Sequence, residues 1–274
     1  MDNMVENWYD VQKIKDNMYL INEKNMSTMY LIIGKDKALL IDTAMGFGDL
    51  YGLVRKLTDL PIILVNTHGH PDHIWGNNQF EEAYLSEKDL QLYLKFYDTQ
   101  IKAVKGTQIL ARNNYTLPPE AFSKWVNQPS CKLNFIEDYS TIDLGGLELQ
   151  VIPLEGHTEG SIMLYDARDK ILFSGDAINH HLWMHLEESQ PLARYLDGIK
   201  KVRAMLPEVK KIYYGHCREA EGSEGALIDH VIKDVTDVIE GRVKGKPFHD
   251  NEHGDSLMCE FETWNLWYPV EVYE

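Results

Sequence analysis

Three imidazoles and a carboxylate fall within six residues, His68-Gly69-His70-Pro71-Asp72-His73. Neutral imidazole is a common metal ligand, and imidazole with carboxylate suits zinc or iron. If charged, four such groups would repel one another; if buried and empty, they would be costly to desolvate. A metal ion removes both problems. The apolar run Pro61-Ile62-Ile63-Leu64-Val65 precedes the loop and reads as a buried strand. Open α/β sheets place their sites at the carboxyl ends of such strands.

Three further polar residues stand at strand ends, each directly after a glycine: His157 in Gly156-His157-Thr158-Glu159-Gly160-Ser161, Asp176 in Ser174-Gly175-Asp176, and His216 in Tyr214-Gly215-His216. Glycine lets the backbone turn sharply and approach closely. A lone histidine is more often structural than functional. Together, however, the chain offers five imidazoles and two carboxylates, a set that suits two metals sharing a bridge.

The elements that must carry these residues are legible as strands, then helices, twice over. Residues 18–21, 28–33 and 38–42 read as strands, the last two as a hairpin turned by Gly34-Lys35-Asp36-Lys37. A helix is expected over 49–58 and a strand over 61–66. Ser86-Glu87-Lys88-Asp89 resembles a capping box with Asp in place of Glu. Leu90, Tyr93, Leu94, Tyr97 and Ile101 follow at helical spacing and read as a buried helix face. Residues 99–130 have weak periodicity and look like an insertion over the surface or a cleft, with Tyr115, Phe122 and Trp125 as lid or dimer contacts. Strands return at 140–144, 147–152, 161–165, 170–173 and 209–214, and helices at 192–206 and 226–240. The tail is acidic and aromatic, with Trp264, Trp267, Tyr268 and Tyr273. One domain over 1–274 is expected, its helical insertion at about 87–130 and its aromatic tail at about 247–274.

The 274 residues carry 27 Lys and Arg against 43 Asp and Glu, a formal charge of −16. That excess argues against nucleic acid as a partner. Cys131, Cys217 and Cys259 are far apart, with no CxxC spacing, so neither a disulfide framework nor a cysteine zinc finger is expected. Met1–Asn7 lacks the basic and apolar regions of a signal peptide. No apolar run approaches the roughly 20 residues that span a bilayer. A cytoplasmic protein without a membrane partner is expected, acting on a small molecule, with a homodimer left open.

The order HxHxDH, GHTxGS, SGD and a strand ending in GH resembles the metallo-β-lactamase-fold hydrolase superfamily over residues 15–220. The resemblance implies an α/β chain folded as a four-layer αββα sandwich, with the site along one edge. It assigns His68, His70 and His157 to one metal, Asp72, His73 and His216 to a second, and Asp176 to the bridge. Asp42 is implied to orient ligands from behind. Glu159 stands where the family often has Pro, and Trp75 where it often has Gly; Glu159 would put a carboxylate near the metals, and Trp75 would be packing.

The same resemblance implies two divalent ions, zinc first with iron or manganese as alternatives, and a metal-bridging hydroxide as nucleophile. Asp72 would orient that nucleophile or pass its proton to the leaving group. Family β-lactamases usually have Cys or Ser where Asp176 stands, so the expected substrate is a small ester, thioester or lactone, not a β-lactam. The alternatives are a phosphodiesterase, an iron sulfur dioxygenase binding one metal through His68, His157 and Asp176, and a non-catalytic metal-binding sensor. The run Asn179–His185 is rich in histidine and aromatic groups. It makes His181, Trp183 and His185 the candidate substrate contacts, against the alternative of a surface loop or subunit contact.

Overall fold

The computed structural model describes residues 8–250 and 253–270. Met1–Asn7 and Tyr273, on which two of the readings above rest, lie outside them. Seven strands form one sheet in chain order: β1 (Tyr9–Lys15), β2 (Met18–Glu23), β3 (Ser27–Ile33), β4 (Ala38–Ile41), β5 (Ile62–Val65), β6 (Glu82–Leu85) and β7 (Lys132–Phe135). The first four run antiparallel, and from β4 onward each neighbour is parallel.

The second half builds β8 (Thr141–Asp143), β9 (Glu148–Pro153), β10 (Ile162–Asp166) and β11 (Ile171–Gly175). Next, β12 (His181–Trp183) leaves for another sheet, while β13 (Lys211–Tyr214) returns parallel to β11 and β14 (Ser223–Glu224) closes the edge.

The two sheets face each other, and alternation along the strands decides what each face buries. Leu20, Tyr30, Ile32, Leu39 and Ile41 meet Leu149, Val151, Leu164 and Phe173 in the inner core. The alternate residues Ile21, Met29, Leu31 and Leu40 pack outward against Leu50 and Val54 of α1 (Leu50–Leu57). On the far side Ile152, Met163, Leu172 and Ile212 pack under α6 (Leu192–Met205) and α7 (Leu227–Ile239). The result is helix, sheet, sheet, helix, each apolar face covered by the next layer.

Between these outer layers the chain adds α2 (Pro71–Ile74), α3 (Leu90–Tyr97), α4 (Thr99–Arg112) and α5 (Pro119–Asn127). The expected buried face from Leu90 to Ile101 holds at Tyr93, Tyr97 and Ile101, which pack on one core, but it is not one helix and Leu94 leaves it. The Asp98 side chain accepts from Gln100 N and Ile101 N, starting a new helix, and Leu94 is 53 % exposed while Tyr93 and Phe96 are buried. Weak periodicity in 99–130 conceals two helices anchored by aromatics. Trp125 donates to the Met45 carbonyl at 2.9 Å and packs edge-on to Trp75, whose indole donates to Phe96 O at 2.9 Å. Trp75 is packing, as expected.

A third sheet was not anticipated from the sequence. The tail forms β15 (Lys246–Asp250), β16 (Gly254–Glu260) and β17 (Asn265–Tyr268), and β17 pairs in parallel with β12. The histidine-rich run 179–185, for which a surface loop or subunit contact was the alternative to substrate contact, is partly a strand held by the chain's own C-terminal part.

Candidate metal centre

The carboxyl ends of β4, β5, β11 and β13 open at one edge, because β4 with β5 and β11 with β13 are parallel pairs. Asp42 follows β4, Thr67 and His68 follow β5, Asp176 follows β11, and His216 follows β13. His157 arrives on the connection between β9 and β10.

The six-residue loop is braced from below. Asn66 Nδ2 donates to the His73 carbonyl at 2.8 Å, and Asn66 and Asn77 exchange side-chain hydrogen bonds. Pro71 opens α2, where its missing N–H is no loss. The capping box expected of Ser86 and Asp89 does not form: neither side chain makes a cap bond. Instead the buried Asp89 carboxylate accepts from Gly69 N at 2.8 Å, Gly160 N at 2.7 Å and Thr158 Oγ1 at 2.8 Å, tying the first histidine loop to the His157 loop. Gly215 is obligatory: a Cβ there would meet Asp176 Oδ1 at 2.4 Å and His73 Cε1 at 2.6 Å.

All seven candidate ligands converge. His70 Nδ1 and His157 Nε2 lie 2.9 Å apart, and His216 Nε2 lies 3.1 Å from Asp176 Oδ2 and 3.3 Å from Asp72 Oδ2. His73 Nε2 stands 3.6 Å from Asp72 Oδ2 and 3.7 Å from Asp176 Oδ2. Three sets have ligand atoms all within 4.8 Å of one another: His68 with His70 and His157, His68 with His73 and Asp176, and Asp72 with His73 and His216.

The outward nitrogen of every histidine has a partner that requires a proton on it. His73 Nδ1 donates to Asp42 Oδ2 at 2.8 Å, His157 Nδ1 to Trp183 O at 2.7 Å, and His216 Nδ1 to Met26 O at 3.1 Å. His70 Nε2 donates to Glu188 Oε1 at 2.5 Å. Thr67 Oγ1 spends its only proton on Asp42, so it accepts from His68 Nδ1 at 3.1 Å. With the inner nitrogens deprotonated, as cation binding requires, rings so held turn five lone pairs inward, towards two carboxylates. His68 Nε2, His73 Nε2 and Asp176 Oδ1 are buried with no hydrogen-bond partner. Buried polar atoms are nearly always satisfied. A ring of orphaned lone pairs and carboxylate oxygens fits cations.

Proton affinities divide the site. Burial, followed by the neighbouring His73, His70 and His157, holds His68 well below the usual imidazole range, and burial takes His157 down to about 4. Burial opposes charging His73 and His216 too, but Asp72, Asp42 and Asp176 outweigh it at His73, and Asp176 and Asp72 at His216, so both are raised. The His216 and His73 imidazoles likewise overcome burial at Asp176 and hold its carboxyl well below the usual range.

The pattern of the metallo-beta-lactamase superfamily matches residues 23–85 and 131–216. The chain belongs to that superfamily. A chicken (Gallus gallus) protein named acyl-coenzyme A thioesterase MBLAC2 is 27 % identical over 230 residues, covering 76 % of this chain and 80 % of its own. A hydroxyacylglutathione hydrolase of Erythrobacter litoralis is 26 % identical over 151 residues, covering 55 % and 47 %. Among solved structures, a metallo-beta-lactamase from Pontibacter korlensis superposes with a TM-score of 0.57 at 20 % identity, covering 83 % of this chain and 99 % of that one. The DIM-1 metallo-beta-lactamase gives 0.58 at 19 %, covering 84 % and 98 %. These structures share the fold. The superfamily match stops at 85 and resumes at 131, so α3, α4 and α5 fall outside it.

This superfamily member carries a cavity of about 630 Å³ over the centre. His70, Asp72, His157, Asp176 and His216 form its floor. His181, Trp183 and His185 stand in its wall, beside Trp267 and His253 from the third sheet. Lys105, Ile109 and Arg112 of α4 wall the other side. Burial, with His253 nearby, takes His185 down to about 4, so its ring is neutral at pH 7. Glu159 is exposed and takes no part in the wall, against the expectation of a carboxylate near the metals. A carboxylate that the sequence did not single out, Glu188, reaches the ligand His70 instead. It sits in an acidic doublet, Glu187-Glu188, which reads as solvated surface and carries no motif.

Proposed function

We propose that this chain is a metal-dependent hydrolase using two divalent ions, zinc foremost, to cleave a small acyl ester, thioester or lactone. The observation that carries the reading is the convergence of five imidazoles with Asp72 and Asp176; His70, His157 and His216 lie at the floor of one cavity, and His68 and His73 are buried beneath it. His68, His70 and His157 would hold one ion, and Asp72, His73 and His216 the other, with Asp176 between. Bound ions would supply Lewis acidity and a water acidic enough to ionise near neutral pH. Among acyl substrates, the names of the thioesterase and hydroxyacylglutathione hydrolase relatives favour a thioester. Cytoplasmic residence belongs to the same proposal.

The residues divide the work by position. Asp72 stands in the cavity floor and is only 23 % exposed in its side chain, with one oxygen towards His216 and His73. Its other oxygen would orient the attacking water and carry a proton to the leaving sulfur or oxygen. Asp42, Thr67 and the carbonyls of Trp183 and Met26 keep the ring protons on the outside. Trp183, His181 and His185 would contact the acyl group, with Trp183 and Trp267 supplying apolar surface beside the metal site.

The test is metal content measured alongside turnover on a panel of thioesters, esters, lactones and phosphodiesters. Two ions per chain with acyl hydrolysis support the reading, and Asp72→Ala is expected to weaken the ion held with His73 and His216 and to lose about 100-fold or more in turnover. One iron with oxygen uptake would replace it with dioxygenase chemistry. Two ions with no turnover on any substrate would leave a metal-binding sensor.

A further inference from the structure

We infer that Glu188 is a positioning residue for the first metal site, holding His70 in the tautomer that binds and closing the segment 186–190 over that site when the ion is in place. The inference rests on the two-ion reading above and concerns only this chain's own residues.

The five histidines differ in what stands behind them. Asp42, behind His73, is buried at the end of β4, and the carbonyl behind His216 belongs to Met26 in the buried turn between β2 and β3. These partners cannot leave without unfolding a sheet edge. Glu188 belongs to the irregular connection between β12 and α6 and reaches back 118 residues to His70. Its side chain is 21 % exposed, against 8 % for His70. Of the two carboxylates among the five outward partners, it is the exposed one, at 21 % against 2 % for Asp42.

The same connection holds His157. Trp183 O accepts from His157 Nδ1 at 2.7 Å, Ser189 Oγ donates to His157 O at 3.1 Å, and Gln190 N donates to Gly156 O at 2.8 Å. Two of the three imidazoles in the first set are thus oriented by a single stretch, 183–190. His68, the third, is oriented from the β5 side through Thr67. The set is complete only when the stretch lies down on it. Conversely, an ion drawn to His70 Nδ1 strengthens the Nε2–H donor that Glu188 accepts, because coordination makes the ring N–H more acidic. Ligand and strap therefore support each other. Outer carboxylate partners of this kind are worth 10–100-fold in metal affinity.

The experiment compares wild type, Glu188→Ala and Glu188→Gln by competition with a chromophoric chelator, by the visible spectrum of the cobalt(II)-loaded protein, and by hydrogen exchange across 183–190. Glu188→Ala should weaken one of the two ions by about 10–100-fold and leave the other within about threefold. Glu188→Gln, whose amide oxygen still accepts from Nε2–H, should recover most of that loss. The cobalt spectrum should shift in Ala and return towards wild type in Gln. Metal should slow exchange across 183–190 in wild type and Gln but not in Ala. Wild-type affinity and spectrum in Glu188→Ala would overturn the inference while leaving the hydrolase reading standing. So would equal losses in Ala and Gln, or equal weakening of both ions, since those report general damage. A wild-type protein that binds no ion would sink both.

Discussion

Asp42 accepts the Nδ1 proton of His73 at 2.8 Å while its own backbone sits in the left-handed region at φ 62°. The same carboxylate accepts from Thr67 N at 2.7 Å and Thr67 Oγ1 at 2.8 Å, so one side chain orients both His73 and, through Thr67, His68. A non-glycine residue held at positive φ costs of order 1–3 kcal/mol and persists where the surroundings over-determine it. Asp42→Asn preserves the shape but can present N–H to His73 in place of an acceptor. Metal affinity should fall by about 10–100-fold with the fold intact, measured by chelator competition. Unchanged affinity would remove Asp42 from the metal site's support.

Asp89 joins two loops that carry ligands. Asp89→Ala leaves Gly69 N, Gly160 N and Thr158 Oγ1 without this acceptor inside the protein. A buried donor left unmade costs about 1–3 kcal/mol, so the variant should lose about 3 kcal/mol or more in denaturant unfolding. The measurement belongs in chelator, where metal binding adds nothing to stability. A loss below about 1 kcal/mol would show that water replaces the carboxylate there.

Gly215 separates strand β13 from His216 with no room for a methyl group. Gly215→Ala must push aside Asp176 or His73, the groups nearest the new Cβ. Native mass spectrometry should find the second ion lost or substoichiometric, with circular dichroism unchanged. Full two-ion loading would mean that the neighbouring backbone yields instead.

Glu23 is fully buried and accepts from the backbone N–H groups of Met45, Gly46, Phe47 and Gly48. Burial pushes its carboxyl up to about 7 from 4.5, against those four bonds. The folded state therefore holds this proton more tightly than the unfolded chain. Its stabilising contribution is full below the unfolded value and is lost as pH rises through about 7. Glu23→Gln cannot titrate. The stability of wild type minus that of the variant should fall by about 3 kcal/mol from pH 4.5 to pH 8. A pH-independent difference would mean that the four N–H groups, not burial, set the proton affinity.

The seven metal-site candidates were legible in the chain because they follow short apolar strands and four stand directly after a glycine, patterns that survive without any long-range information. The strands 28–33 and 61–66 and the helices 49–58, 192–206 and 226–240 recur within a few residues of those bounds, since alternation and helical spacing are local signals. Glu159 and Asp89 show the limit of local reading. One is two residues from a ligand in sequence and faces solvent; the other completes an apparent capping box and instead joins two loops.

By itself, the sequence determined which side chains could hold metal and on which strands they would ride, because donor chemistry and strand periodicity are properties of short segments. Only the tertiary structure decided which nitrogen of each ring faces inward, that Glu188 stands behind His70, and that the C-terminal strands wall the cavity through β17 and β12. Those outcomes depend on hydrogen bonds between residues up to 190 positions apart, as from Met26 to His216, and no local pattern encodes a partner at that distance.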